Sequence, residues 1–458
     1  MMSGGGVFLG RKGAKMSAAG RMGFRGRRVT VMGLGRFGGG VAAAGWLADQ
    51  GAVVTVTDLA TDSELAEALD ALRGHRIARF HLGGHREEDF RSADLVVVNP
   101  AVRPGNPFLE MVIRHGVPRT TEVELFLRRC PTPVIGVTGT NGKSTTAAMI
   151  ASILRASGQP TWLGGNIGAS LLGELDRMGP EGWTVLELSS FQLWHMDPST
   201  TMPQIAVVTG CCANHLDWHG DYEHYAAAKQ KMLIGQRRDS LAVLNPAAPE
   251  LGSWRRLVRG RVASMFCEAQ VPALRVDGRH NRLNARLAAT AAQAAGCDEA
   301  AILQGLERFP GLPGRLEMVA VIEGRRFYND TTATTPGSTV AALESVPGPV
   351  WLVAGGSDKG IDLSPLAEAV VRHAAGAAFF GATGGQLAAA VAQRQVGLPC
   401  RRTETLSQAL GWCWERSRPR DAILFSPGCA SRDQFTNYVH RGRHFMELIR
   451  QLADPRRR

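Results

Sequence analysis

At 458 residues, 44% of them hydrophobic, the chain has an ordinary globular composition and is too long for a single average core. Its formal charge of +11 is concentrated at the start, where residues 1–28 carry seven Arg or Lys and no acid, leaving +4 for the remainder. No uncharged apolar run of about 18 residues offers a membrane span, and eight cysteines without a CxxC pair read as reduced thiols of a cytoplasmic protein.

Residues 1–27 are basic, rich in Gly and lack the apolar stretch of a secretion signal, so they read as a disordered extension with Met16 and Met22 as other candidate starts. A nucleic-acid-binding tail would want aromatics or a basic stripe, which the sequence does not supply. Arg28–Met32 then reads as a strand, Gly33-Leu34-Gly35-Arg36-Phe37-Gly38 as a dinucleotide-type turn, and the following residues as a helix through Ala48. Val53–Thr57 is a second strand ending in Asp58, twenty residues after Gly38, where a ribose-hydroxyl acceptor stands in a Rossmann unit. Taken alone this predicts NAD or FAD, although the same turn serves other nucleotides. Leu95–Val98 is a third strand, and Asn99-Pro100-Ala101-Val102 turns at its carboxyl edge, where such sheets bind ligands.

Pro131 and Pro133 mark a joint into the most informative stretch, residues 136–146, Gly-Val-Thr-Gly-Thr-Asn-Gly-Lys-Ser-Thr-Thr, set between a β-branched strand and a helix over 147–154. Gly139 and Gly142 let the backbone approach a ligand, so that amide N–H groups and the helix start point at phosphates. Lys143 supplies a mobile charge for the β- and γ-phosphates, and Ser144 or Thr145 a hydroxyl for Mg²⁺. An ordinary glycine-rich turn explains the glycines but not the lysine and hydroxyls immediately behind them. A strand over 183–188 then places Glu187 near its carboxyl end, where a buried carboxylate needs a partner or a metal, and Mg²⁺ accounts for it. His215, Asp217 and His219 read equally as a metal triplet or a polar loop, and Lys229, in a helix over 222–232, reads as a surface lysine. Asn281 and Asn284 share one face of a helix start, suited to base contacts or to capping.

The last third repeats strand exits bearing glycines. A strand over 326–329 leads to Asp330, one over 350–354 to Gly355-Gly356-Ser357-Asp358-Lys359-Gly360, and Ala422–Phe425 to a loop containing Ser431. Lys359 and Ser431 together suit a substrate carboxylate, or else are solvent-facing loop residues. Arg441 and Arg443, on a following helix, receive no role.

The phosphate loop resembles that of the Mur ligases, the ATP-dependent amide-forming enzymes of peptidoglycan synthesis, and their folylpolyglutamate synthase cousins. Leu186-Glu187-Leu188-Ser189-Ser190-Phe191-Gln192-Leu193 resembles the D-glutamate-adding branch, and at least six motifs follow the family order between about residues 28 and 450. The resemblance implies an α/β protein of three domains after the 1–27 extension: a Rossmann-like UDP-binding domain (28–130), a central P-loop ATPase-like domain with a mostly parallel sheet (131–313), and a Rossmann-like amino-acid-binding domain (314–458). It implies ATP held by Gly139, Thr140, Asn141, Gly142, Lys143, Ser144 and Thr145, with Asn281 and Asn284 toward adenine, Arg315 toward phosphate and Asp330 toward ribose. Two Mg²⁺ ions are implied on Ser144, Glu187, His215 and a carbamylated Lys229, Asp217 and His219 organising the loop. Lys143, Glu187, His215 and Lys229 form the implied catalytic set.

For the substrates, the resemblance places Gly35, Arg36, Asp58, Asn99, Asn166 and His215 at UDP-N-acetylmuramoyl-L-alanine, and Lys359, Ser431 and Tyr438 at the side-chain carboxylate of D-glutamate. The implied reaction forms an acyl phosphate that the amine of D-glutamate attacks. No nucleic acid or membrane partner is implied, and a monomer is expected. The chain departs from the family at Asn99-Pro100-Ala101 for Ser-Pro-Gly, Asn214 for an acid, Thr332 for a lysine and Tyr438 for a phenylalanine. A Mur-type ligase for another amino acid or nucleotide precursor is the alternative, and a nucleotide-binding protein without ligase chemistry a more distant one.

Overall fold

The computed structural model describes residues 23–35, 38–276, 278–358 and 360–453. Met16, Met22, Arg36 and Lys359 lie outside these residues. Within the expected extension, Phe24 is buried edge-on to Trp46, ring centroids 5.5 Å apart, with the Arg129 guanidinium 4.6 Å above its ring. Among the described residues no helix is long and apolar enough to cross a membrane.

The protein is of the α/β class, with three sheets whose strand pairs are parallel but for one. It divides into two compact units, the first built from the chain up to Pro272 together with Asn284–Leu306, the second from Ala273–Leu283 and Glu307–Arg458. The first unit carries two sheets. One is formed by β1 (Arg28–Met32), β2 (Val53–Thr57), β3 (Ile77–His81), β4 (Leu95–Val98) and β5 (Arg119–Thr120), in the order β3-β2-β1-β4-β5. The other comprises β6 (Val134–Thr138), β7 (Thr161–Gly165), β8 (Trp183–Glu187), β9 (Ile205–Val208), β10 (Leu241–Leu244) and β11 (Arg261–Val262), in the order β11-β10-β9-β6-β8-β7. In each, the chain leaves the middle of the sheet in both directions, at β1 and at β6. Such a reversal opens a crevice at the carboxyl ends of the strands, and the loops after β1 and β6 start there.

The second unit holds β12 (Glu317–Ile322), β13 (Arg325–Asn329), β14 (Val350–Gly355), β15 (Ala374–Phe380), β16 (Cys400–Arg402) and β17 (Ala422–Phe425), in the order β12-β13-β17-β14-β15-β16. β12 is the antiparallel edge, with a register shift between Met318 and Ala320.

Central strands read as unbroken apolar runs because helices cover both faces: β6, β9, β14 and β17 are buried at every residue. The helices are started by local chemistry. Ser189 and Thr405 each form a capping box, with Gln192 and Gln408 respectively, and Asn106 caps a helix that opens on Pro107.

In the second unit Phe425 is fully buried and stacks on Phe445 with centroids 4.6 Å apart. Phe425→Ala removes that ring from a packed core and is expected to destabilise the unit by about 3–5 kcal/mol. A urea titration should show the denaturation midpoint falling accordingly, and an unchanged midpoint would contradict this account of the core.

Candidate active site

The site in the first unit grows from the exit of β6. Gly139 has φ +150°, and a Cβ there would stand 2.0 Å from the Thr209 hydroxyl; Gly142 has φ +80°, and its Cβ would stand 2.5 Å from Asn284 Oδ1. Neither position admits a side chain, so the loop bends back closely over the exit of β9 and opens the helix Lys143–Ala156. The hydroxyl of Thr209 donates to the Asn141 carbonyl, the Thr140 amide donates to the Gly210 carbonyl at 2.8 Å, and the Thr140 hydroxyl meets Tyr225 Oη at 3.0 Å. The first turn of the helix is thereby left presenting its amide groups from a braced loop.

Two ionisable groups are buried around this loop. Glu187, at the end of β8 and 1% exposed, accepts the Ser144 hydroxyl at 2.6 Å and the Asn166 amide at 2.9 Å, so its two oxygens join the phosphate-loop helix to the loop after β7. Lys229, also 1% exposed, donates to the Gly139 carbonyl at 2.9 Å and sits 4.5 Å above the Tyr225 ring. Burial, and then the nearby charge of Lys143, hold its amine well below the ordinary lysine range. Lys143 itself folds back onto the Thr140 carbonyl at 2.8 Å. Ser144, Asn166, Glu187, Lys143 and Lys229 therefore gather around one loop. Among the described residues no three His, Cys, Asp or Glu side chains form a metal cluster. The oxygens of Ser144 and Glu187 nonetheless suit a hard cation.

His215 adopts φ +55° and packs edge-on against Phe191, centroids 4.8 Å apart, at the start of a short helix. Asp217 faces Arg103 at 3.6 Å, both side chains exposed. His219 belongs to a chain of hydrogen bonds: Trp194 Nε1–H donates to His224 Nε2 at 2.6 Å, His224 Nδ1 meets His219 Nδ1 at 3.1 Å, and His219 Nε2 meets Ser190 Oγ at 3.0 Å. Because the indole can only donate, a neutral His224 carries its proton on Nδ1, and His219 then carries its own on Nε2. Burial, followed by the charges of His224 and Lys229, lowers His219 to about 4. His219 is thus tied into the loop by these bonds, whereas Asp217 makes only an exposed ion pair; Trp194 and His224 join His219 without any sequence signal.

Around the first sheet, Asp58 Oδ2 accepts the amides of Leu34 and Gly35 at 2.8 and 3.1 Å, and its Oδ1 accepts the Ala60 amide at 2.9 Å. Asn99 reaches the same loop from the other side, donating to the Gly33 carbonyl at 3.1 Å and accepting from the Ala101 amide at 2.9 Å. Both side chains therefore brace the glycine turn itself. Asn284 lies behind the phosphate loop, where the Thr146 hydroxyl donates to it at 3.3 Å.

In the second unit, Asn281 is buried in the first turn of the helix Arg279–Ala294. Asp330, past the end of β13, accepts the Leu316 amide at 3.0 Å and the Ser426 hydroxyl at 2.7 Å. Burial, only partly offset by these bonds, raises its carboxyl to about 7. Arg315 is half-buried and its charge acts on Asp330. Ser431 is buried, and Tyr438, partly exposed, opens the helix Tyr438–Ala453. A small pocket beside these exits is lined by Thr334, Ser357, Asp358, Thr383, Gly428 and Cys429 among others.

Arg441 is the principal residue that sequence reasoning left without a role: it is 0% exposed, with its guanidinium on the carbonyls of Thr331, Cys429 and Ala430. The one available signal was the glycine behind it, since a helix-interior glycine costs about 1 kcal/mol relative to alanine and so asks for a reason. A Cβ at Gly442 would come within 2.7 Å of Thr331 Cγ2.

Three family models match the chain: the Mur ligase MurD-like N-terminal domain over residues 27–120, the Mur ligase middle domain over 137–265, and the Mur ligase, glutamate ligase domain over 314–429. Among curated proteins, the UDP-N-acetylmuramoylalanine--D-glutamate ligase of Symbiobacterium thermophilum is 36% identical over 80% of this chain and 86% of its own length. The protein of the same name from Roseiflexus sp. is 35% identical over 94% of this chain and all of its own. Among solved structures, the UDP-N-acetylmuramate-alanine ligase MurC of Thermotoga maritima aligns with a TM-score of 0.59 at 20% identity, covering 93% of this chain and 99% of that one. MurF from Acinetobacter baumannii aligns with the same TM-score at 16% identity, covering 93% of each chain. These structures share the fold.

A lysine whose pKa is lower in the folded than in the unfolded chain releases its proton on folding, so stability rises with pH between the folded value and the ordinary one near 10.5. Relative to Lys229→Met, which cannot titrate, the unaltered protein should gain stability with pH by up to about 1.4 kcal/mol per pH unit within that window. Urea midpoints of both proteins at neutral and alkaline pH, in bicarbonate-free buffer, measure this. A difference that stays constant or shrinks as pH rises would contradict a buried amine held below the ordinary lysine range.

Proposed function

The chain belongs to the Mur ligase family, and from that premise we propose that it is the D-glutamate-adding member, coupling D-glutamate to UDP-N-acetylmuramoyl-L-alanine at the expense of ATP. The observation that carries the ligase reading is the braced phosphate loop between a buried carboxylate, Glu187, and a buried amine, Lys229. Similarity to curated D-glutamate ligases over up to 95% of this chain supports the choice of acceptor.

In this reading the amide groups at the start of the helix Lys143–Ala156 receive the ATP phosphates, and Lys143 leaves the Thr140 carbonyl to follow the charge of the phosphoryl group as it moves. The substrate carboxylate attacks the γ-phosphorus and ADP departs, giving an acyl phosphate. The amine of D-glutamate then attacks the acyl carbon and inorganic phosphate leaves. Mg²⁺, when bound, offsets charge on the transferring phosphoryl group. Ser144, Glu187 and His215 would hold it, together with Lys229 as its carbamate. The depressed amine suits that modification: neutral nitrogen adds to CO₂ and loses a proton, turning a cation into an oxygen ligand. Asp58 and Asn99 would act on the UDP end by shaping the loop of Gly33 to Gly35, and Gly35, Arg36, Asn166 and His215 are assigned to the same substrate.

Asn281, Asn284, Arg315 and Asp330 are assigned to ATP, and Lys359, Ser431 and Tyr438 to the acceptor. We place the domain boundaries at residues 28–130, 131–313 and 314–458, and regard the protein as a monomer. A cation and a hydroxyl at the acceptor side chain reject analogues that leave them unpaired. D-Glutamate should therefore exceed D-aspartate, L-glutamate and D-alanine by more than about tenfold in kcat/KM. The assay is phosphate release at saturating ATP and UDP-substrate, and equal turnover with any of the other three would favour another acceptor, the reading that Thr332 and Tyr438 would then explain.

The carbamate has its own test. Lys229→Ala should lose nearly all ligation and recover part of it when a short carboxylate such as acetate or formate is added, because the acid restores the missing oxygen. Unrescued loss together with no Lys229-dependent carbamate signal in ¹³C-bicarbonate NMR would reject the modification.

A further inference from the structure

The guanidinium of Arg441 meets strand exits that lie far apart in sequence. Its Nη1 donates to the carbonyls of Cys429 and Ala430, both at 3.0 Å, its Nη2 to the Thr331 carbonyl at 2.9 Å, and its Nε to the Thr331 hydroxyl at 3.4 Å. The same Nη1 lies 3.2 Å from the point where a Cβ on Gly356 would stand. One side chain therefore touches the loops leaving β13, β14 and β17. The loops are also tied to one another, since the Ser357 amide donates to the Ala430 carbonyl at 2.9 Å and the Thr331 hydroxyl to the Tyr438 carbonyl at 2.9 Å.

This is a costly way to fill a core. Among the described residues no carboxylate pairs with Arg441, and its charge is met by carbonyl oxygens and more distant acids, so burial lowers it to about 10 and leaves it protonated at neutral pH. An apolar side chain of similar size would pack there without that desolvation. What an apolar side chain cannot do is fix separate loops at the spacing set by a rigid five-donor fork.

We infer that Arg441 is a positioning residue for acceptor binding, holding the exits of β13, β14 and β17 in one arrangement so that Ser431 and the Gly356–Ser357 turn meet the incoming amino acid already in place. The inference rests on the reading of the second unit as the amino-acid side. Binding then needs no ordering of three loops, and loss of the fork is felt as weaker acceptor binding.

The test measures KM for D-glutamate and for the UDP-substrate, and kcat, in two variants. Arg441→Lys keeps the charge and removes the fork; Thr331→Val keeps the volume and removes the hydroxyl that accepts from Nε. Arg441→Lys should raise the KM for D-glutamate at least about tenfold and leave that for the UDP-substrate within about twofold, with Thr331→Val shifting the same ratio less. A purely structural residue would instead reduce the amount of active enzyme and leave every KM alone. Unchanged KM values in the folded variants, or parallel shifts for both substrates, would overturn the inference. Should Arg441→Lys fail to fold, Thr331→Val decides alone by the same ratio. Turnover of a different acceptor by the unaltered protein would correct the proposed function, and the KM split is then read with that acceptor. Failure to couple any acceptor overturns both.

Discussion

The first unit depends on a carboxylate that the fold has taken out of water. Glu187 ends β8 at 1% exposure, and its oxygens are taken by Ser144 from the phosphate-loop helix and Asn166 from the loop after β7. A buried carboxylate left without such donors is strongly destabilising, so the three segments are held to one another by the need to satisfy it. Lys229 mirrors this on the other flank, where the Gly139 carbonyl and the Tyr225 ring receive an amine whose charge burial disfavours.

How much of this was legible in the sequence depends on how local the signal was. The phosphate loop and the strand exits were readable because glycine, lysine and hydroxyls stand at fixed spacing within one turn. Glu187 was readable because an acid at the end of an apolar run has few bland explanations. The α/β class was implied by the family resemblance, and the three sheets agree with it. Lys229 was different: by composition its helix reads as a surface element, and only family resemblance singled it out. The structure buries it because that helix, Tyr222–Ile234, packs with Tyr225, Ala228 and Met232 inside the unit.

Arg441 was opaque for a physical reason. Its shorter hydrogen bonds all run to backbone carbonyls, at residues 331, 429 and 430, and a carbonyl leaves no trace in residue type. Asp58 and Asn99 were found at the expected strand ends, yet their hydrogen bonds run to the glycine turn. Sequence can place a polar side chain at a strand's carboxyl edge, but whether that side chain faces a ligand or the loop that cradles it is settled by a few degrees of backbone. Both outcomes use the same residue types.

The chain from Trp194 through His224 and His219 to Ser190 has a polarity that none of its members has alone. Its first link is an indole that can only give a hydrogen, so with both imidazoles neutral every later proton has one allowed position, and the whole array points one way toward Ser190. A proton added to His219 sets two N–H groups face to face at the His224–His219 contact, and one added to His224 does so at the Trp194–His224 contact; either breaks the sequence. With His219 lowered to about 4, the contribution of the ordered array is complete above the ordinary histidine range and fades as pH falls from about 6.5 toward 4. The segment bearing His215 is thus anchored by an element that behaves as a fuse toward acid: intact in one sense only, and opened by a single proton.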